Sequence, residues 1–153
     1  MDNLEKSKIE TRSHQETVKQ FMNKLQNLID DRSKYHDSTK LMSPELEVFA
    51  KHTPVLIDLE YNSDEYKQHL KEMNVALKHH YAHNRHHPEH FENGIQDMNL
   101  VDLIELVCDW KATSLRQNDG NVLTQMSKNK ERFELSDQLY HIIKNTMELF
   151  ELI

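Results

Sequence analysis

The chain has 153 residues, 37% of them apolar and 29% charged, enough for a single domain with a real hydrophobic core. A formal charge of −7 argues against a dedicated binder of nucleic-acid duplexes, whose surface must neutralise phosphates, but leaves room for a local basic pocket that takes one small anion. No apolar run approaches the roughly 18 residues of a membrane span. The opening "MDNLEKSKIE" lacks the apolar segment of a signal peptide, and the lone Cys108 excludes an internal disulfide, so a cytoplasmic protein is expected. Two glycines and three prolines are too few for the many tight turns of an all-β fold, which predicts helices joined by short polar connections.

The first helix is read from "SHQETVKQFMNKLQNLI", residues 13–29, with Ser13 and Glu16 as a capping box. His14, Val18, Phe21, Leu25 and Leu28 then share one face at four-three spacing, which predicts that His14 opens an apolar stripe and points inward. A second helical stretch leads into "DDRSKYHDSTKLM". Ser43-Pro44-Glu45 starts a further helix with an N-cap, a proline at the first helical position and an acid in the first turn, and Thr53-Pro54 ends it. Ser63 opens a longer helix that carries Tyr66, Leu70, Met73, Val75 and Leu77 into "KHHYAHNRHHPEHF", residues 78–91. Pro88 predicts a turn there, and Asn93-Gly94 continues the break. Asn99 caps "LVDLIELVCDWKATSLR", apolar around much of its circumference and so placed centrally. "QNDGN" at 117–121 ends it, and two pieces at 122–134 and 137–151 complete one all-α domain of six or seven helices spanning 1–153.

Four places put polar side chains in apolar company or crowd them together. His14 heads the stripe of the first helix, where a hydrogen-bonded core histidine is the commoner role than a ligand. Residues 35–40, "YHDSTK", supply an imidazole, a carboxylate and a cation from about one helical turn, although a solvated helix end would read the same way. Asp109 lies on the most apolar helix with Glu105 one turn before it, and an ionised carboxylate there needs a cation or a metal. The fourth is the run that packs six histidines into twelve positions. On a continuing helix His79, His83 and His86 would share one face and His80, Asn84 and His87 another, so two or three at most are ligands.

Taken together, the order His … His-Asp(xxLys) … His/His-His … Asp resembles the HD-domain superfamily of metal-dependent phosphohydrolases. "HDSTK" is similar to the HDxxK form of many members, whose lysine lies near the bound phosphate, and "NRHHPEH" is similar to the extra histidines of two-metal branches. More narrowly, "YHDSTKLMSPE", "HNRHHPEHF" and "LVDLIELVCDWKA" look like a small family of bacterial and phage proteins classed as a domain of unknown function. That likeness covers most of residues 14–116 and implies an HD-like metal-site core over about 12–116, with the C-terminal helices beyond it. Two features depart from the superfamily pattern. His14 and His36 are only 22 residues apart, about 33 Å along a straight helix, so a break is expected at Gln26-Asn27 or Asp30-Asp31. The histidines are also compressed into one helix end and its loop.

The resemblance implies that His14, His36, Asp37 and Asp109 hold a divalent transition metal (Mn, Fe, Co, Ni or Zn), with one or two ions bound. Asp37 would orient or deprotonate a metal-activated water, and Lys40, Arg85 and, at the margin, Arg116 would offset phosphoryl charge. His80 and His87 would hold a second metal or donate to the phosphate, with His79 and His86 as the alternatives in register and Asn84 beside them. Glu89 and Glu105 would fix imidazole tautomers. The implied substrate is a small phosphoester, a nucleotide foremost, in the cytoplasm (the host's, if phage-encoded). Rival readings are a helical protein that binds a nucleotide or metal without turnover, a two-iron oxygenase of HD type, and an interaction protein whose amphipathic stripes serve a partner or homodimer.

Overall fold

A computed structural model describes residues 2–60, 63–115 and 122–149, the side chains of residues 57 and 122–125 aside. The fold is all-α: seven α-helices and three short 3₁₀ turns, with no strand among the described residues. The chain divides after Tyr35 into two units.

The first unit is one helix, α1 (Asn3–Tyr35), 33 residues without interruption. It begins ten residues earlier than expected because Asp2 is the stronger cap: its carboxylate accepts the backbone N–H of Glu5 at 2.8 Å. Ser13 is therefore interior, and its carbonyl takes the Thr17 hydroxyl at 3.0 Å. The expected break at Gln26-Asn27 or Asp30-Asp31 is absent, since this stretch holds no glycine or proline to make one. Arg32 and Lys34 in the last turn suit the negative end of the helix dipole. Taken by itself this unit buries no residue, so the stripe from His14 to Leu28 finds no core within it.

The second unit opens with a turn at His36-Asp37, where Asp37 adopts φ 55°. That left-handed conformation is one that Asp tolerates better than most residues. A 3₁₀ turn (Ser38–Leu41) leads to α2 (Glu45–Asp58). Pro44, after a cis Ser43–Pro44 bond, occupies the N-cap position of α2. Thr53-Pro54 does not end the helix: Pro54 is exposed inside it, where the missing N–H leaves one helical bond unmade but the chain runs on to Asp58.

Ser63 caps α3 (Asp64–Glu72) as expected, its hydroxyl accepting from the Tyr66 N–H. The long helix read from there is two, because Met73 turns inward, buried, between α3 and α4 (Asn74–His83). Pro88 starts a 3₁₀ turn (Pro88–His90), another follows at Gly94–Asp97, and Asn99 caps α5 (Leu100–Ser114) in a full capping box with Asp102. Then come α6 (Val122–Arg132) and α7 (Asp137–Leu149). Gly94 has φ +59° and open space around it, so its backbone rather than any close contact favours glycine there.

The apolar core lies among α5, α6 and α7: Leu106, Val107 and Trp110 pack with Met126, Leu135, Ile143 and Met147. Each such side chain contributes about 1.5–3 kcal/mol on leaving water. Trp110 stacks on Phe133 with ring centroids 6.0 Å apart. Beside this apolar stripe, α5 carries Asp102, Glu105 and Asp109, spaced three and four residues apart on one face. That acidic stripe sets the site.

Candidate metal centre

The three acids of α5 face a cation and two imidazoles from two other segments, the turn at His36 and the loop after α4. Asp102, fully buried, takes the Arg85 guanidinium in a two-point bond, Nε to Oδ1 at 3.1 Å and Nη2 to Oδ2 at 2.9 Å. Arg85 also lies over the Phe91 ring. It is thus committed to anchoring the loop after α4, not presented to a phosphate as expected. Glu105 Oε1 accepts from His36 Nδ1 at 2.9 Å and lies 3.0 Å from His86 Nδ1. Asp109 Oδ1 stands 3.7 Å from His36 Nε2.

A second buried carboxylate does the same work from the other side. Glu45, completely buried at the start of α2, faces His79 Nδ1 at 2.7 Å, His80 Nδ1 at 2.8 Å and the Thr39 hydroxyl at 3.0 Å. A carboxylate on Nδ1 keeps the proton there and leaves Nε2 as a bare lone pair. For His80 that lone pair points at Asp37 Oδ1, 3.3 Å away, and at His87 Nε2, 2.8 Å away. His86 Nε2 reaches the same oxygen at 3.5 Å, and His36 Nε2 reaches Asp37 Oδ2 at 3.6 Å.

The result is three overlapping groups whose donor atoms lie within 4.8 Å of one another: Asp37 with His80, His86 and His87; His36 with Asp37 and Asp109; His36 with His86 and Glu105. Asp37 belongs to two of them. Asp37 Oδ1 and both ring nitrogens of His86 are buried and make no hydrogen bond. Buried polar atoms left in that state cost about 1–3 kcal/mol each, so three at one point mark a place built for something that binds them. The donor set, imidazole nitrogen with carboxylate oxygen, suits first-row transition ions.

The electrostatics agree. His36 is pushed up to about 10, chiefly by its hydrogen bonds to Asp109 and Glu105, which outweigh burial, with the charge of Asp37 adding. In the protein without a metal a proton thus fills the space between these acids. His87 goes the other way, down to about 3, through burial and the neighbouring His86 and His80, and so stays neutral and able to bind an ion. Burial alone would raise Asp37 and Asp109, but the neighbouring His80 and Lys40 for the first and His36 for the second hold both below the usual carboxylate range.

Of the residues expected from the sequence, His36, Asp37, His80, His87 and Asp109 meet here, with Lys40 Nζ 2.6 Å from Asp37 Oδ2. The register alternatives divide: His80 faces the site while His79, partly exposed, meets the other oxygen of Glu45 and stacks on His83, and both His86 and His87 contribute. His14 lies on α1, in the first unit, 21 residues or about 32 Å along the helix before its C-terminal end, whereas the groups above are all formed within the second unit. Asn84 serves the scaffold, its amide donating to Thr39 Oγ1 and to the His80 carbonyl. Glu89 does not hold an imidazole but pairs with Arg132 at 2.6 Å. Arg116 lies outside the described residues.

Sequence reasoning missed Thr39, Glu45 and Asp102. The available signal was Glu45, Phe49 and His52 at four-three spacing on α2, an inward face with an acid at its head.

No curated protein and no solved structure matches the chain. A family model does match residues 3–149, nearly the whole length and every residue of the site. The chain belongs to that family, DUF5662, a family of unknown function.

Proposed function

We propose that this protein is a metal-dependent phosphohydrolase acting on a small phosphoester, a nucleotide foremost. The observation that carries the reading is the convergence of four imidazoles and two carboxylates around Asp37, with three buried ligand atoms that make no hydrogen bond among the described residues. His80, His86 and His87 with Asp37 would hold one cation, and His36 and Asp109 with Asp37 would hold that ion or a second. When bound, such an ion supplies Lewis acidity, drawing charge from a phosphoryl oxygen and bringing the pKa of water toward neutrality.

The protein's own groups do the rest. Glu45 and Glu105 keep the Nδ1 protons of His80 and His36 in place, which frees their Nε2 atoms. Lys40, half-exposed beside Asp37 and over the Phe49 ring, is the cation placed to meet a phosphoryl oxygen. The phosphoryl chemistry rests on the resemblance of "HDSTK" and its distal aspartate to HD-type enzymes. Residues 36–109 supply the ligands within the second unit, and His14 on α1 is the one further ligand that the superfamily pattern would add.

The test measures the metal content of purified protein, then phosphate release from a nucleotide panel with Mn, Co, Fe, Ni or Zn added. Asp37→Asn keeps the left-handed turn while removing the charge, and should abolish both binding and turnover. Metal bound without phosphate release across the panel would leave a metal-binding protein and remove the hydrolase. A wild-type protein that takes up no metal would remove both.

A further inference from the structure

We propose that His86 bridges two metal ions, one on each ring nitrogen, and that His36 and Glu105 hold the second. The inference rests on the reading of Asp37, His80, His86 and His87 as a metal site, and adds an ion on the far side of one of its ligands. Every residue it uses lies in the second unit.

A neutral histidine has one ring N–H to donate and one lone pair to fill. His86 is 1% exposed, and neither of its ring nitrogens makes a hydrogen bond among the described residues. One ion at Nε2 would still leave Nδ1 without a partner, so a single-metal site accounts for half of the observation. The two nitrogens face different groups. Nε2 lies 3.5 Å from Asp37 Oδ1, in the group that includes His80 and His87. Nδ1 lies 3.0 Å from Glu105 Oε1, in the group that includes His36.

That 3.0 Å is short enough for a hydrogen bond, yet none forms, so the oxygen stands beside the ring N–H direction rather than along it. Two ligands of one ion stand this way: each about 2 Å from the metal, they lie about 3 Å apart with their lone pairs converging on it. His36 Nδ1 completes the set, 2.9 Å from the same oxygen, with its ring centroid 4.5 Å from that of His86. Two imidazoles and one carboxylate suit a divalent first-row ion.

The protons displaced from His86 and from His36 Nδ1 go to solvent, and His36 keeps its Nε2–H toward Asp37 and Asp109. With bonds of about 2 Å on either side of one ring, the ions stand about 6 Å apart. Ions sharing the Asp37 carboxylate would instead be about 3.5–4 Å apart, so the separation tells the two arrangements apart.

The experiment loads the full chain with Co(II), removes loose metal by gel filtration, counts the ions and locates them by anomalous diffraction. Two ions per chain are expected, on either side of the His86 ring at the longer separation. Protein loaded with Cu(II) should lose most of the single-ion electron paramagnetic resonance signal, because a shared imidazolate couples the two spins. Glu105→Gln keeps the shape of the side chain and should retain one ion per chain, with the single-ion Cu(II) signal restored and circular dichroism melting showing that it folds. Two ions at the shorter separation would overturn the bridge and put Asp37 between them. One ion per chain in the wild type would overturn it and leave the first site standing, and two ions in Glu105→Gln would overturn the second set of ligands. Protein that binds no ion would overturn it together with the proposed function, whereas two bridged ions without phosphate release would support it and remove only the hydrolase.

Discussion

Glu45 is the sharpest test of how the site works, because two substitutions there separate charge from shape. Its Oε2 takes both His80 Nδ1 at 2.8 Å and Thr39 Oγ1 at 3.0 Å, while Oε1 takes His79 Nδ1 at 2.7 Å. In Glu45→Gln the single amide oxygen can replace Oε2, and the amide nitrogen faces His79. That ring is partly exposed and can present a lone pair instead, with its other nitrogen in water. Geometry survives and only the charge goes. Charged hydrogen bonds exceed neutral ones by about 1 kcal/mol, so the metal-free protein should lose roughly that much stability. Its metal affinity should fall about tenfold, the low end for loss of a supporting carboxylate.

Glu45→Leu removes every acceptor. Asn84 Nδ2 already lies 3.0 Å from His80 Nδ1, ready to donate to it once the carboxylate is gone. The tautomer then reverses, a proton appears on Nε2, and the lone pair that faces Asp37 is lost. Affinity should drop about 100-fold, the upper end of the same range, and stability by about 1–3 kcal/mol for the buried groups left unpaired. Calorimetric titration with Zn or Co, and thermal unfolding after chelation, read the two effects apart. Wild-type metal affinity in Glu45→Leu would refute the reasoning. Equal affinity losses in the two variants would refute the tautomer step alone.

Three further outcomes are expected. Arg85→Ala leaves the fully buried Asp102 carboxylate without its guanidinium and should cost about 3–5 kcal/mol, read as a lowered thermal midpoint with unchanged metal stoichiometry; a stable variant impaired only with phosphoesters would return Arg85 to a substrate role. His14→Ala decides whether α1 adds a ligand: unchanged metal content leaves the ligands to residues 36–109, and a lost metal equivalent adds His14 to them. The raised His36 contributes stability to the metal-free protein that is complete below about 6.5 and fades as pH climbs toward about 10. The depressed Asp37 and Asp109 contribute stability that fades instead as pH falls below the carboxylate range. Urea midpoints of chelated protein should therefore peak between weakly acidic and neutral pH, and His36→Gln should flatten the alkaline limb.

Much of the fold was legible because its signals are local. Ser63 and Asn99 cap the helices they were read to cap, and Pro88 breaks the chain where a proline must. The misreadings came where two local signals competed or where a tertiary contact overrode one. Asp2 outranked Ser13 as a cap, Pro54 was carried inside α2, and Met73 turned a long helix into two. The direction of α1 was not legible at all: four-three spacing says that a face is apolar, not what covers it. In the site, Asp37, His80 and Asp109 could be found because a histidine-aspartate pair and a lone acid on an apolar helix stand out. Glu45 was passed over, since an acid in a first turn is what every helix prefers, and only its spacing with Phe49 and His52 set it apart. Arg85 was misassigned because a sequence shows a cation but not that Asp102, 17 residues on, has already claimed it.

The placement of apolar residues gives the site a structural role beyond its chemistry. Between His36 and His90 the buried apolar side chains described are Met73, Ala76 and Pro88, while Glu45, His52, His80, Asn84 and His86 are buried and polar. The α5–α7 core is a separate cluster, so the packing of α2, α3 and α4 leans on a hydrogen-bonded network as well as on these few apolar side chains. His52 and His69 extend that network between α2 and α3, their Nδ1 atoms 2.9 Å apart and sharing one proton. A network of this kind holds only while each member is satisfied, and at Asp37 and His86 three atoms are not. A cation at that point would complete the network and bind the folded chain alone, so its binding free energy would add to folding. Catalytic and structural readings of the site are therefore one arrangement: the same imidazoles that would hold the ion tie α4 and the loop after it to α2 and α5.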